Sequence, residues 1–334
     1  MAKILFLILS LGMQVQSITA ATKADELVVY TSRKEHLVKP IFEQYTKETG
    51  VKINYRTGSD GILIQTIKSE KENTPADVLI TVDAGNLWFA KSQGILEKVE
   101  SKKLSKNIPG HLKDRDNNWF AFSIRARTIV YHQDRVKPEE IESYENLASK
   151  KFKDRLCLRT SKKVYNQSLV SMLIHELGEE KAKAIVSGWT KNAVTITKDD
   201  TKLLKAIEAG QCDVGIVNTY YFGRQQKEKK DYPIKIYWPN QKSYGVHINV
   251  SGAGVIRYSK NKELAKKFLE WLSEKNAQTT FAQVNLEYPV RMDVDADPIT
   301  KSWGKFQANE TFDLNLAGKY QAKAIKLMNE VGYK

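Results

Sequence analysis

Leu27-Val28-Val29-Tyr30 is followed by Leu37, Val38, Ile41, Phe42 and Tyr45 on one helical face, then by Gly50 and an extended run over 51–55. A β-rich run that gives way to a 3.6-residue period closed by glycine is the signature of a strand–helix–strand unit. Pro40 suits that helix if it falls in the first turn, where no N–H is needed. The pattern then recurs. Gly58-Ser59-Asp60 opens a helix with Leu63 and Ile67 on its apolar face, 77–81 reads as a strand, and 86–92 reads as a short helix capped by Asp83. In the second half, strand-like 155–159, 213–217, 234–237 and 247–255 alternate with helical 166–177, 179–192, 200–209 and 261–274. Alternation of this kind predicts α/β layers with largely parallel sheets.

The chain has 334 residues, which at about 150 per domain suggests two compact units. Hydrophobic residues make up 41% and charged residues 28%, as in soluble globular proteins. The formal charge of +14 excludes an acidic calcium-buffer type. Lysine runs such as Lys227-Glu228-Lys229-Lys230 are short and interrupted by acid, so they read as solvated faces and not as a nucleic-acid groove. No Gly/Ser-rich linker separates the halves. The extended stretches 121–132 and 246–256 are therefore the expected crossings, and two crossings between α/β units form a hinge beside a ligand cleft. Residues 1–20 read as a cleaved signal peptide: Lys3, then an apolar run over 4–13, then small and polar residues. Such a run is too short to span a membrane, and no Cys lies near the cleavage point for lipid attachment. The expected product is an exported monomer, periplasmic in a Gram-negative cell.

Cys157 and Cys212 are the two cysteines, each in strand-like surroundings and without CxxC spacing. In an oxidising compartment a structural disulfide is the favoured reading, with two buried free thiols as the alternative.

Catalytic signatures are missing: the sequence contains no GxSxG, HExxH, Walker A or GxGxxG, and its five histidines show no zinc-ligand spacing. Tyrosine carries more information. Tyr165 follows the strand ending at Arg159 and opens a helix, and Tyr220-Tyr221 follow the strand ending at Val217. Both places are C-terminal strand edges, where α/β sheets bind ligands. A free phenol ionises near pH 10, so a neutral-pH phenolate requires a strong competing cation. A hard trivalent ion such as Fe(III) can compete in this way, and three phenolates balance its charge. On composition alone the ordinary reading of such tyrosines is packing with a surface hydroxyl. A cleft for sugars or amines would also use aromatics. Arg125 and Arg127 lie two apart in the first crossing, on one strand face, and a guanidinium fork suits a bidentate carbonate or carboxylate. Arg224, three residues beyond Tyr221, is a further anion candidate.

Four stretches carry a family resemblance: Val29-Tyr30-Thr31-Ser32-Arg33, residues 74–85, Phe122-Ser123-Ile124-Arg125-Ala126-Arg127, and Asn218-Thr219-Tyr220-Tyr221-Phe222-Gly223-Arg224. Together with Tyr165-Asn166-Gln167-Ser168 they resemble the periplasmic ferric-ion-binding proteins of iron ABC importers, over nearly all of the chain beyond the signal peptide. The resemblance implies a two-lobed, transferrin-like type II periplasmic-binding-protein fold. It implies Fe(III) held by Tyr165, Tyr220 and Tyr221 with a synergistic anion such as carbonate or citrate, and delivery of the ion or its chelate to an inner-membrane ABC permease. It implies binding, not catalysis. The expected division is an N-lobe over 21–124 with about 251–290, a C-lobe over 125–250, and helices in 291–334 packing across both. One departure stands out. Many members place a His, or a His-Tyr pair, where this chain has Lys34 and Glu35. Glu35 and His36 are the substitute N-lobe ligand candidates, against the plainer reading of a solvated helix start; Lys34 is suited to attracting the anion. The competing functions are a cleft for an organic cation, such as thiamine or a polyamine, and an exported enzyme of tetrapyrrole type on the same fold.

Overall fold

Nine strands organise the described residues, 25–334, of the computed structural model; the signal-peptide expectation falls outside them. They are β1 (Glu26–Thr31), β2 (Lys52–Thr57), β3 (Val78–Thr81), β4 (Phe120–His132), β5 (Leu156–Arg159), β6 (Ala193–Thr197), β7 (Val214–Asn218), β8 (Ile234–Tyr237) and β9 (Ile248–Val255). Their order is β2-β1-β3-β9-β4-β7-β5-β6, with β8 also pairing β4.

β4 decides the architecture. Its first half pairs antiparallel with β9, from Phe120↔Ala253 to Ala126↔Ile248. Its second half pairs antiparallel with β7, from Arg127↔Asn218 to Tyr131↔Val214, and with β8. One strand thus belongs to two lobes, and β9 with residues 246–247 forms the return. β4 covers the expected crossing 121–132, and β9 lies within the expected crossing 246–256. The outer pairs β1–β2, β1–β3, β5–β6 and β5–β7 are parallel, whereas pairs involving β4 and β9 are antiparallel. The largely parallel expectation thus holds away from the hinge. At the hinge the chain must leave one lobe and come back, so the two crossings run in opposite directions.

The apolar core divides along the same line. Leu27, Val29, Ile41, Phe42, Leu79, Ala126 and Phe268 pack in one cluster, and Ile129, Leu156, Leu158, Leu173, Trp189 and Ile216 in another. In the helix Glu35–Thr49 the buried residues are Val38, Ile41, Phe42 and Tyr45, and Gly50 ends it at φ 76° with its N–H donating to the Thr46 carbonyl. Pro40 lies in the second turn of this helix and not the first, so the His36 carbonyl lacks a helical donor there. Asp83 caps the helix Ala84–Ser92 by accepting from Gly85 N at 2.7 Å.

The C-terminal helix Leu314–Glu330 packs on the helix Val164–Leu177 of one lobe and on Ala84–Ser92 of the other. The close approach depends on two glycines. A Cβ on Gly85 would stand 3.2 Å from Gly318 N, and one on Gly318 would meet the Gly85 carbonyl at 3.0 Å and the Trp88 ring closer still.

A chain of polar side chains crosses behind the hinge. Asn249 on β9 donates to Asp83 of the N-lobe and, at 2.9 Å, to Ser168 of the C-lobe. The Ser168 hydroxyl in turn meets His247 Nε2 at 2.9 Å. Burial first, then Arg127 and Arg125, holds His247 down to about 3 from its ordinary 6.5. Its neutral ring therefore contributes fully above pH 6.5 and loses that contribution as pH falls toward 3. Between pH 6.5 and 4.5 the native protein should lose roughly 2 kcal/mol that a His247→Gln variant does not lose, read by urea unfolding at the two pH values.

Cys157 on β5 and Cys212 just before β7 are bridged, with Cα atoms 5.9 Å apart and a sequence separation of 55. These strands are neighbours in the C-lobe sheet, as the disulfide reading required. The Cys157→Ser, Cys212→Ser variant should be less stable by about 4 kcal/mol on the loop-entropy model, measured by chemical denaturation beside the oxidised protein.

Candidate functional site

The largest concentration of chemistry lies where the lobes face each other. A cavity of about 400 Å³ there is lined by Ser32, Arg33, Lys34 and Asp60 from one lobe, Arg125 and Glu287 near the hinge, and Arg159, Tyr165, Tyr220, Tyr221 and Arg224 from the other.

Local structure explains how the tyrosines reach it. β5 ends at Arg159 and the helix Val164–Leu177 begins five residues later, so Tyr165 stands in the first helical turn. Asn166 to Ile174 of that helix are all buried, which makes it a rigid platform. β7 ends at Asn218 and the helix Thr219–Glu228 begins at once, placing Tyr220 and Tyr221 in its first turn. The free N–H groups of a first turn favour anionic groups nearby. The rings of Tyr220 and Tyr221 are 4.4 Å apart between centroids, and the Tyr220 and Tyr165 side chains are within hydrogen-bonding reach of each other. All three phenols expected at the site therefore meet in one cavity.

Arginines surround these rings. The Arg159 guanidinium lies 5.1 Å from the Tyr165 centroid and 5.5 Å from that of Tyr221. Arg224 lies 5.0 Å from Tyr220 and 5.9 Å from Tyr221, and Arg125 lies 5.8 Å from Tyr165. Each is within the range of cation–π attraction. Burial pushes the Tyr165 phenol up, against the pull of Arg125, and pushes Tyr220 well up, reinforced by the neighbouring phenols. Such groups hold their protons until a cation strong enough to replace them arrives.

The other candidates separate. Arg125 lines the cavity, with Nη1 on Ser251 at 2.9 Å and Nη2 on the Val250 carbonyl at 2.8 Å. Arg127 does not. Its fork is taken by Asp200 at 2.7 Å and Asn166 Oδ1 at 2.7 Å inside the C-lobe, and it is not among the cavity-lining residues. Glu35 is exposed and accepts from the Tyr55 hydroxyl at 2.9 Å, and His36 is exposed; neither lines the cavity. The helix-start reading describes both. Lys34 does line it.

Three contributors were missing from the sequence reading. Arg159 is the terminal residue of β5, so the strand-edge argument that found Tyr165 also points to it. Asp60 lines the N-lobe side; burial raises its carboxyl, opposed by hydrogen bonds from Ser32 and the backbone. Glu287 has no local signal. It forms a bidentate pair with Arg33 at 3.0 and 3.2 Å, and accepts from Ser123. Burial would raise its carboxyl, yet Arg33 and Arg125 hold it below the usual range.

A two-lobed α/β frame, crossed by two strands and closed on a polar cleft, defines a class of solute-binding proteins. Residues 73–309 match the model of the bacterial extracellular solute-binding proteins, and the chain belongs to that family. Iron uptake protein A1 of Synechocystis is 40% identical over 316 residues, covering 92% of this chain and 88% of the relative. The Fe(3+)-binding periplasmic protein of Serratia marcescens is 27% identical over 318 residues, covering 93% and 92%. Among solved structures, a Trichodesmium protein (IdiA, FutA) in complex with iron and citrate ligands is 39% identical with a TM-score of 0.88, over 92% of this chain and 100% of that one. The ferric binding protein from Campylobacter jejuni is 32% identical with a TM-score of 0.87, over 92% and 100%. These likenesses bear out both the type II fold and the resemblance read from the sequence. The relatives are named for uptake and binding and not for a reaction, and the chain is of that non-enzymatic class.

Proposed function

We propose that this protein binds ferric ion in the periplasm and delivers it to an inner-membrane ABC permease, with Tyr165, Tyr220 and Tyr221 as the phenolate ligands. The observation that carries this reading is the convergence of three phenols from two strand edges on one cavity. Three phenolates neutralise a trivalent ion, and hard oxygen donors suit it. The relatives named for iron support the same substrate.

The lining charge refines the proposal. Seven Lys or Arg side chains line the cavity against three Asp or Glu. Once the phenolates have neutralised the ion, positive charge remains for a synergistic anion. Arg125, Arg159 and Arg224 are its proposed partners, with Lys34 at the mouth drawing anionic chelates in. Carbonate and citrate both fit this chemistry, and the Trichodesmium complex holds citrate with its iron. The same excess of positive charge disfavours thiamine or a polyamine, which would call for acidic walls. In the proposed cycle a monomer with lobes 21–124 plus about 251–290 and 125–250 closes over the ion, helices in 291–334 bridging them. The permease then reads the closed form. Closure needs only that the ligand bind it better than the open form.

The test is a visible titration of the metal-stripped protein with ferric citrate, bicarbonate present. A saturating one-to-one phenolate-to-iron charge-transfer band should appear, and it should weaken in Tyr165→Phe and Tyr220→Phe. Absence of any band in the native protein overturns the ferric reading and returns the cleft to organic ligands.

A further inference from the structure

Asp200 is fully buried at the start of the helix Asp200–Glu208, behind the cavity wall and outside its lining. Oδ2 accepts from Arg127 Nη1 at 2.7 Å and from the Asn218 backbone N–H at 3.0 Å. Oδ1 faces Arg159 Nη1 at 3.4 Å. Each of these three partners leads to a tyrosine.

Arg127 passes its second nitrogen to Asn166 Oδ1, beside Tyr165. Asn166 in turn donates to the Arg159 carbonyl at 2.7 Å, tying the helix start to the end of β5. Asn218 is the residue from which the turn to Tyr220 and Tyr221 departs, and its Nδ2 lies 3.3 Å from the Tyr220 hydroxyl. Arg159 lies over the rings of Tyr165 and Tyr221 and is within hydrogen-bonding reach of the Tyr221 side chain. Its Nε and Nη1 have no hydrogen-bond partner among the described residues, so its place depends on the Asp200 charge and on the two ring faces. One carboxylate therefore holds both tyrosine-bearing turns and the cation between them.

We propose that Asp200 is a positioning residue for the ligand cluster, setting through Arg127, Arg159 and Asn218 the geometry in which Tyr165, Tyr220 and Tyr221 meet the ion. The inference rests on the ferric-phenolate reading for its ligand, but not for its geometry. With the carboxylate gone, two buried guanidiniums lose their shared counter-charge. Arg159 is then free to leave the ring faces, and the donor oxygens spread.

The test uses Asp200→Asn and Arg159→Gln, singly and together, in the full exported protein. Ferric affinity measured by competition with citrate should fall on the order of ten- to a hundredfold in each single variant. The charge-transfer band should move in wavelength. The double variant should lose little more than the worse single one, as residues acting as one unit do. A purely structural role would lower thermal stability without moving the band. If Asp200→Asn does not fold, Arg159→Gln carries the same expectations alone. Native affinity and band position in folded variants overturn the proposal. A metal-free measurement separates it from the ferric reading. With 13C-labelled tyrosine rings, the Tyr165 and Tyr221 resonances of the iron-free protein should shift in both variants. If the native protein gives no band, that shift still supports positioning by Asp200, and unchanged resonances still refute it.

Discussion

The continuous course of β4 from one lobe into the other governs this molecule. A strand that pairs with β9 at Ala126 and with β7 at Arg127 cannot release either lobe without exposing backbone groups that have no other partner. The lobes are therefore tied together through backbone pairing. The cavity inherits its position from this constraint. β7 is the immediate neighbour of β4, and β5 is next to β7, so the turns after β7 and β5 bring their tyrosines to one edge beside the hinge.

Electrostatics at that edge are arranged in layers. Phenols face the space, guanidiniums lie against their rings, the Asp200 carboxylate stands behind the guanidiniums, and Glu287 pairs with Arg33 at the cavity wall. Burying so much charge is costly unless each group is met. The pairing Arg33–Glu287 and the shared contacts of Asp200 show how that cost is contained. The surplus left over is positive and faces the cleft, which is where an incoming anionic complex would meet it.

Much of this was legible in the chain because the signals were local. A strand end followed at once by a helix start marks Tyr165 and Tyr220, and the alternation of periods gives the α/β class. The failures share a cause as well. Arg125 and Arg127 lie two apart, and a flat strand would show both to one site. But β4 changes partner between them, Arg125 pairing opposite Asn249 and Arg127 opposite Asn218, so they serve different neighbourhoods. Glu35 has the chemistry of a ligand but bonds outward to Tyr55. Glu287 and Asp200 reach the site's surroundings through tertiary contacts with Arg33 and Arg127, which no spacing in the sequence encodes.

The clasp at Gly85 and Gly318 bears on the kinematics of closure. Two strands alone leave a pair of bodies able to bend, twist and splay. A third tie, the helix Leu314–Glu330 seated on both sides with its backbone close against the Gly85 turn, restrains the last two motions. In the proposed closure, a joint restrained in this way would reach the same end point each time. Groups on opposite walls would then return to register without having to search for it, and the proposed recognition of the shut form could rest on rigid shape alone.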